Sequence, residues 1–227
     1  MNKLLLIFIV LFYAQLTHAQ FLVITGTDGY ANIREYNMTQ SGKTLKNNTV
    51  VFWMDEYDGP GYSDDWLKIY YSEDAFYKNA DETLEKMEIG LVHLSQVTPL
   101  EELQKASEKE ISVKYDTQKF NFKDKKIVWG EDKTYIKKVN GKPLFGADCG
   151  LPKTEITKAT AIINNQTIAI PKNLLWNILG ATNGFRYYKN GNTYFAIQSN
   201  GDGACVYHVV WVFENGKLTQ RLIGNIY

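Results

Sequence analysis

Short apolar runs alternate with turn signals along most of this chain, the pattern of a protein built from strands. Before residue 98 the runs fall at residues 21–24, 30–34, 49–53, 66–71 and 89–94, a spacing that suits a small β-barrel. Val50, Phe52, Leu67, Ile69, Leu91 and Val92 are its expected core, together with Trp66. After residue 110, turn dipeptides recur at Asn140-Gly141, Asn164-Asn165, Asn190-Gly191 and Asn215-Gly216. Asn-Gly between apolar runs favours a tight hairpin, because both central residues must take positive φ. Consecutive antiparallel strands are therefore predicted at 185–188, 193–198, 205–213 and 217–226. Pro171 followed by Leu174, Leu175, Ile178 and Leu179, with Gly180 after, predicts one short helix.

Between these regions, Thr98-Pro99-Leu100-Glu101 has the form of a capping box with proline at the first helical position. Leu100, Leu103 and Ala106 continue at helical spacing, predicting an amphipathic connector to about Lys109. The expected fold is mainly β. Residues 20–97 form a small SH3-like β-barrel, 98–110 a helical connector, and 111–227 an α+β domain with an antiparallel meander and one short helix.

Residues 1–19 read as a secretory signal peptide. Lys3 supplies the positive n-region, residues 4–12 are an unbroken apolar core, and Thr17-His18-Ala19 offers a small-residue cleavage site. That core is too short for a span of roughly 30 Å, so no membrane span is expected. The implied address is exported, either periplasmic or secreted.

The 227 residues are 44% hydrophobic and 22% charged, the composition of a folded chain. Formal net charge is zero and pI about 6.8, which argues against a general nucleic-acid binder. The neutral average hides an asymmetry. Residues 20–110 carry 17 acidic and 8 basic side chains, whereas residues 111–227 carry 8 acidic and 16 basic. Two consequences are open: mutual attraction of the halves, or an acidic face offered to a cationic partner.

Four segments of the acidic half, taken in order, resemble a bacterial SH3-like domain. They are Ala31-Asn32-Ile33-Arg34-Glu35, Leu45-Lys46-Asn47-Asn48-Thr49-Val50, Asp65-Trp66-Leu67-Lys68-Ile69 and Gly90-Leu91-Val92-His93. The resemblance covers about residues 21–97 and implies binding of a protein or a cell-wall peptide, without chemistry. Two acidic insertions, at 54–64 and 72–88, depart from the family pattern. The first places Asp55, Glu56, Tyr57, Asp58, Tyr62 and Asp64 before Asp65, and these residues are the candidate binding surface. Calcium is disfavoured there because the fixed Asp-x-Asp-x-Asp-Gly spacing with a terminal Glu is absent.

Cys149 and Cys205 are the only cysteines. In an exported chain a disulfide is the favoured reading, worth about 4 kcal/mol in the chain-entropy picture. The alternative is catalytic. Gly146-Ala147-Asp148-Cys149-Gly150-Leu151 superficially resembles the nucleophile segment of NlpC-type cell-wall cysteine peptidases, and that resemblance implies a Cys149/His208 pair. Against it, the family's Ser after the Cys is missing, Pro152 interrupts the nucleophile helix, and no third polar residue follows His208. Few histidines remain for a metal site, and no cofactor is expected. Asn200-Gly201-Asp202-Gly203 reads as a hairpin loop, not a phosphate cradle. The function expected is thus a non-enzymatic binding protein, possible roles including a periplasmic inhibitor or immunity-type protein. The alternatives are a cell-wall cysteine hydrolase and a peptidoglycan-binding accessory factor.

Overall fold

The structure, a computed structural model, describes residues 21–35, 39–53, 65–76, 87–146, 150–201 and 206–224. Among these the protein is mainly β, its sheets are antiparallel, and the helical residues are confined to short 3-10 turns.

The first sheet takes β1 (Phe21–Ile24), β2 (Tyr30–Arg34), β3 (Gln40–Lys46), β4 (Val50–Trp53), β5 (Trp66–Tyr71), β6 (Glu88–His93) and β7 (Val97–Pro99). Their order is β3-β2-β6-β5-β4-β1-β7, and the end strands β3 and β7 do not pair with each other. One face gathers Leu22, Ile24, Ile33, Val51, Ile69 and Val92 into a core of its own. Strand β3 has no counterpart in the apolar pattern. Gln-Ser-Gly-Lys-Thr-Leu-Lys is polar throughout except Leu45, which suits an edge strand held by its ladder with β2.

The remaining strands are β8 (Gln104–Lys105), β9 (Ile111–Lys119), β10 (Ile127–Trp129), β11 (Ile136–Val139), β12 (Thr154–Ile163), β13 (Gln166–Ile170), β14 (Arg186–Asn190), β15 (Thr193–Asn200), β16 (Tyr207–Glu214) and β17 (Lys217–Gly224). They form a five-stranded sheet β17-β16-β15-β14-β8, a three-stranded sheet β13-β12-β9 and the ribbon β10-β11.

The five-stranded sheet is the middle layer. Strand β16 is buried along nearly its whole length, and a strand apolar at successive positions is one covered on both faces. Alternation then sorts its side chains. Trp211 points to one side, where its Nε1 donates to the Tyr115 hydroxyl of β9 at 2.6 Å. Val212 and its partner across the ladder, Gln220, point to the other, where Gln220 meets β4 of the first sheet. The resulting core is continuous: Phe21, Val23, Val50, Phe52 and Leu100 pack in one cluster with Val210, Val212 and Leu222. Three ion pairs between the halves are seen among the described residues. Lys46–Glu214 and Arg186–Glu101 lie at 2.7 and 3.9 Å, and Lys189 bonds Glu110. Apolar burial and buried hydrogen bonds, not the charge asymmetry, join the halves.

Two expected helices are corrected. The connector at 98–110 is β7, a 3-10 turn at Leu100–Glu102, and β8. Thr98 does not cap it: its hydroxyl shares a hydrogen bond with that of Thr25 at 2.9 Å, because Thr98 sits in the ladder opposite Val23. Leu100 is buried in the shared core and β8 extends the middle sheet beside β14, so tertiary pairing overrides the local signal. The segment 171–180 likewise forms a 3-10 turn, Lys172–Leu174, followed by bridges of Ile178 to Phe145 and of Leu179 to Glu155. Leu174, Leu175, Ile178 and Leu179 are all buried as their spacing implied. Apolar residues at i, i+1, i+4 and i+5 fit an irregular segment buried on one side as well as a helix.

Candidate functional site

The loop expected to bind joins β4 to β5. Asp55, Glu56, Tyr57, Asp58, Tyr62 and Asp64 lie outside the described residues; Asp65, at its far end, is exposed, and its carbonyl accepts the Leu94 amide at 2.7 Å. That bond pins the loop's exit against the end of β6.

Immediately beyond, alternation along β5 sends Leu67, Ile69 and Tyr71 toward the first sheet's core and Trp66, Lys68 and Tyr70 to its other face. Trp66 is therefore not a core residue, contrary to expectation, but a half-buried side chain on the outer face. Two neighbours fix its ring. The Arg34 guanidinium, at the end of β2, lies 4.4 Å from the ring centroid. The His93 imidazole, directly opposite Trp66 in the β5–β6 ladder, meets it edge-on at 5.1 Å. His93 is held in turn: its Nδ1 accepts the Ser95 amide at 3.2 Å and lies 2.8 Å from the Ser95 hydroxyl, capping the 3-10 turn Leu94–Gln96.

Arg34, Trp66 and His93 thus converge from three strands on one cluster, and Trp66 follows the acidic segment 54–64 closely in sequence. The cluster offers an aromatic ring, a guanidinium and an imidazole held together. Three of the four sequence segments had each named one of these residues without showing that they converge; the signal available was the alternation of Trp66, Lys68 and Tyr70 along β5. Beside the cluster, Lys43 pairs with Glu73 at 2.9 Å and with Glu88, which also accepts the Tyr71 hydroxyl at 3.0 Å. The Lys43 bond holds the Glu88 carboxyl below the usual range, and burial followed by the Glu88 contact pushes Tyr71 up to about 12. This network braces β3, β5 and β6.

Cys149 and Cys205 lie outside the described residues, so the expected bridge does too. His208 is described and buried. Its Nδ1 lies 3.0 Å from the Ser199 hydroxyl, its Nε2 has no hydrogen-bond partner among the described residues, and its ring meets the edge of Phe21 at 5.6 Å. It therefore faces β1. The flank of Cys149 sits on the opposite face of β16. Phe145 stacks on Tyr207 at 5.9 Å, and Gly146 is pressed against Tyr207 and the Leu179 carbonyl. Tyr207 and His208 are consecutive on one strand and point to opposite sides. Burial, with Arg186 nearby, lowers the imidazole to about 4.

No protein-family model, curated protein or solved structure matches this chain. Among the described residues no group of three or more His, Cys, Asp or Glu side chains is placed to hold a metal, and no helix is long and apolar enough to cross a membrane.

Proposed function

We propose that this chain is an exported, non-enzymatic binding protein that recognises a cationic protein partner through an SH3-like module at residues 21–97. The reading rests on one observation above others: Trp66, held by Arg34 and His93, follows closely in sequence the segment carrying Asp55, Glu56, Asp58 and Asp64. A tryptophan held in place and closely preceded in sequence by a run of carboxylates is the composition of an anchor for a basic side chain, with the acids steering encounter. The order of the four SH3-like segments and the leader at residues 1–19 support the module and the address.

The test is capture from a host envelope extract on immobilised protein. Wild type should retain a cationic protein. Retention should be lost in Trp66→Ala and when Asp55, Glu56, Asp58, Asp64 and Asp65 are replaced by their amides. Equal retention by all three overturns the reading. Binding of purified sacculi, unchanged by these substitutions, would replace it with a cell-wall accessory role. Thiol titration of the native protein in denaturant without reductant should find no free thiol; two free thiols with wall-lytic activity abolished by Cys149→Ala would replace it with the cysteine hydrolase.

A further inference from the structure

A cleft of about 570 Å³, lined by none of Arg34, Trp66 and His93, opens between the β10–β11 ribbon and the turn that follows β13. Its size is that of a small-molecule site. Three lysines line it from separate parts of the chain: Lys125 before β10, Lys142 after β11, and Lys172 in the 3-10 turn.

The three are not equivalent. Lys125 is fully engaged, bonding Glu155 at 2.7 Å and the Asn121 carbonyl at 2.8 Å. The other carboxylate oxygen of Glu155 accepts the Gln118 amide at 2.9 Å. Lys125 thus offsets the charge of Glu155, and each Glu155 oxygen already accepts a hydrogen bond or ion pair. Neither Lys142 nor Lys172 has an ion-pair partner among the described residues.

Lys142 is also positioned. The turn from Val139 to Lys142 closes with two backbone hydrogen bonds of 2.8 and 3.0 Å, and Asn140 and Gly141 take positive φ of 52° and 78°. That geometry is the tight primed turn its dipeptide encodes. It places the Lys142 ammonium 5.0 Å from the centroid of the half-buried Trp176 ring. Beyond Trp176 the wall is apolar, with Leu175, Ile156 and Val139. Two lysines without an ion-pair partner among the described residues, on a cleft that also offers an aromatic and aliphatic wall, call for a ligand with an anionic group and a ring.

We propose that this cleft binds a monosaccharide carrying a phosphate or carboxylate, with Lys142 and Lys172 on the anionic group and Trp176 against the ring. None of the residues lining the cleft belongs to the acidic segment, and the proposal stands or falls independently of the partner-binding reading.

Calorimetry on the protein purified from an exporting host, with glucose 6-phosphate, glucuronate, glucose and inorganic phosphate as probes, decides it. At least one of the two anionic sugars should bind saturably, and which one does distinguishes phosphate from carboxylate. Glucose and inorganic phosphate should each bind about tenfold more weakly or not at all. The double variant Lys142→Gln/Lys172→Gln should weaken the anionic sugar about tenfold or more. Lys114→Gln/Lys158→Gln, which removes the same charge from exposed positions on β9 and β12, should leave it unchanged. Absence of saturable binding by both anionic sugars overturns the proposal. So does equal weakening by the two double variants, which would mean diffuse electrostatics, or inorganic phosphate matching the sugar phosphate, which would leave the ring no role.

Discussion

Replacing Gln220 by leucine removes the most specific polar contact between the first sheet and the middle one. Thr49 accepts the Ile24 amide at 2.9 Å, so β4 turns the backbone groups of Thr49 toward β1 and those of Val50 away from it. On that far side the ladder with β5 covers only Phe52 and Trp53. The Gln220 side chain takes the place of the missing strand: its Oε1 accepts the Val50 amide at 2.8 Å, and its Nε2 donates to the Val50 carbonyl at 2.7 Å. Both bonds are buried. Leucine of similar size orphans a buried donor and a buried acceptor, at about 1–3 kcal/mol each, and recovers about 1 kcal/mol from its added apolar surface. The net loss is about 3 kcal/mol, equivalent to a fall in Tm of about 9 °C for a chain of this length. Thermal unfolding followed by circular dichroism reads it directly. A variant melting within about 2 °C of wild type would mean that Val50 needs no partner there, and the account of how the layers are joined would fail.

Other expectations follow from buried groups. His208 is neutral in the fold, its imidazole lowered to about 4, whereas in the unfolded chain it titrates near its ordinary value of 6.5. Below that value the unfolded state binds more protons, so this contribution is complete above pH 6.5 and is lost as pH falls toward 4. Its full size is about 3 kcal/mol. Chemical denaturation between pH 7.5 and 5, before the carboxylates titrate, should show a decline that His208→Gln flattens; parallel profiles would contradict it. Tyr115→Phe leaves the Trp211 indole donor buried without its partner and should cost about 1–3 kcal/mol in urea unfolding, while adding Trp211→Phe should cost less than the sum of the two singles. Additive losses would mean the bond contributes nothing. Gly146→Ala should destabilise by about 3 kcal/mol, because Gly146 has φ of 84° and a Cβ there would press on the Leu179 carbonyl and stand 2.8 Å from the Tyr207 ring. A neutral result would free the flank of Cys149 from the face of β16 that the packing assigns to it.

Much of this was legible along the chain. Strands β1, β2 and β5 fall where the apolar runs end and begin, and Asn140-Gly141, Asn164-Asn165 and Asn215-Gly216 all take the positive φ that their dipeptides imply. These features depend on a residue and its immediate neighbours: alternation sets a strand's faces, and a short polar side chain or none sets the turn. The apolar run of β16 was legible as a strand, whereas its cover on both faces came only from the layers packed around it.

What the neighbours alone cannot encode is which surface a segment meets. The spacing of Leu100, Leu103 and Ala106 is helical in form, yet β14 offered Gln104 and Lys105 a ladder and the shared core took Leu100, so the segment extended. Trp66 is aromatic and on a strand, but its face was decided by the packing of Leu67, Ile69 and Tyr71 on the other side. His208 and the flank of Cys149 are near in sequence terms only through a folded sheet, and alternation at Tyr207 and His208 puts them on opposite sides of it. Lys142 and Lys172 stand thirty positions apart and share a cleft because a ribbon and a turn pack together. Local conformation is a short-range steric matter, whereas burial and proximity are set by contacts between distant segments, and only the assembled layers supply those.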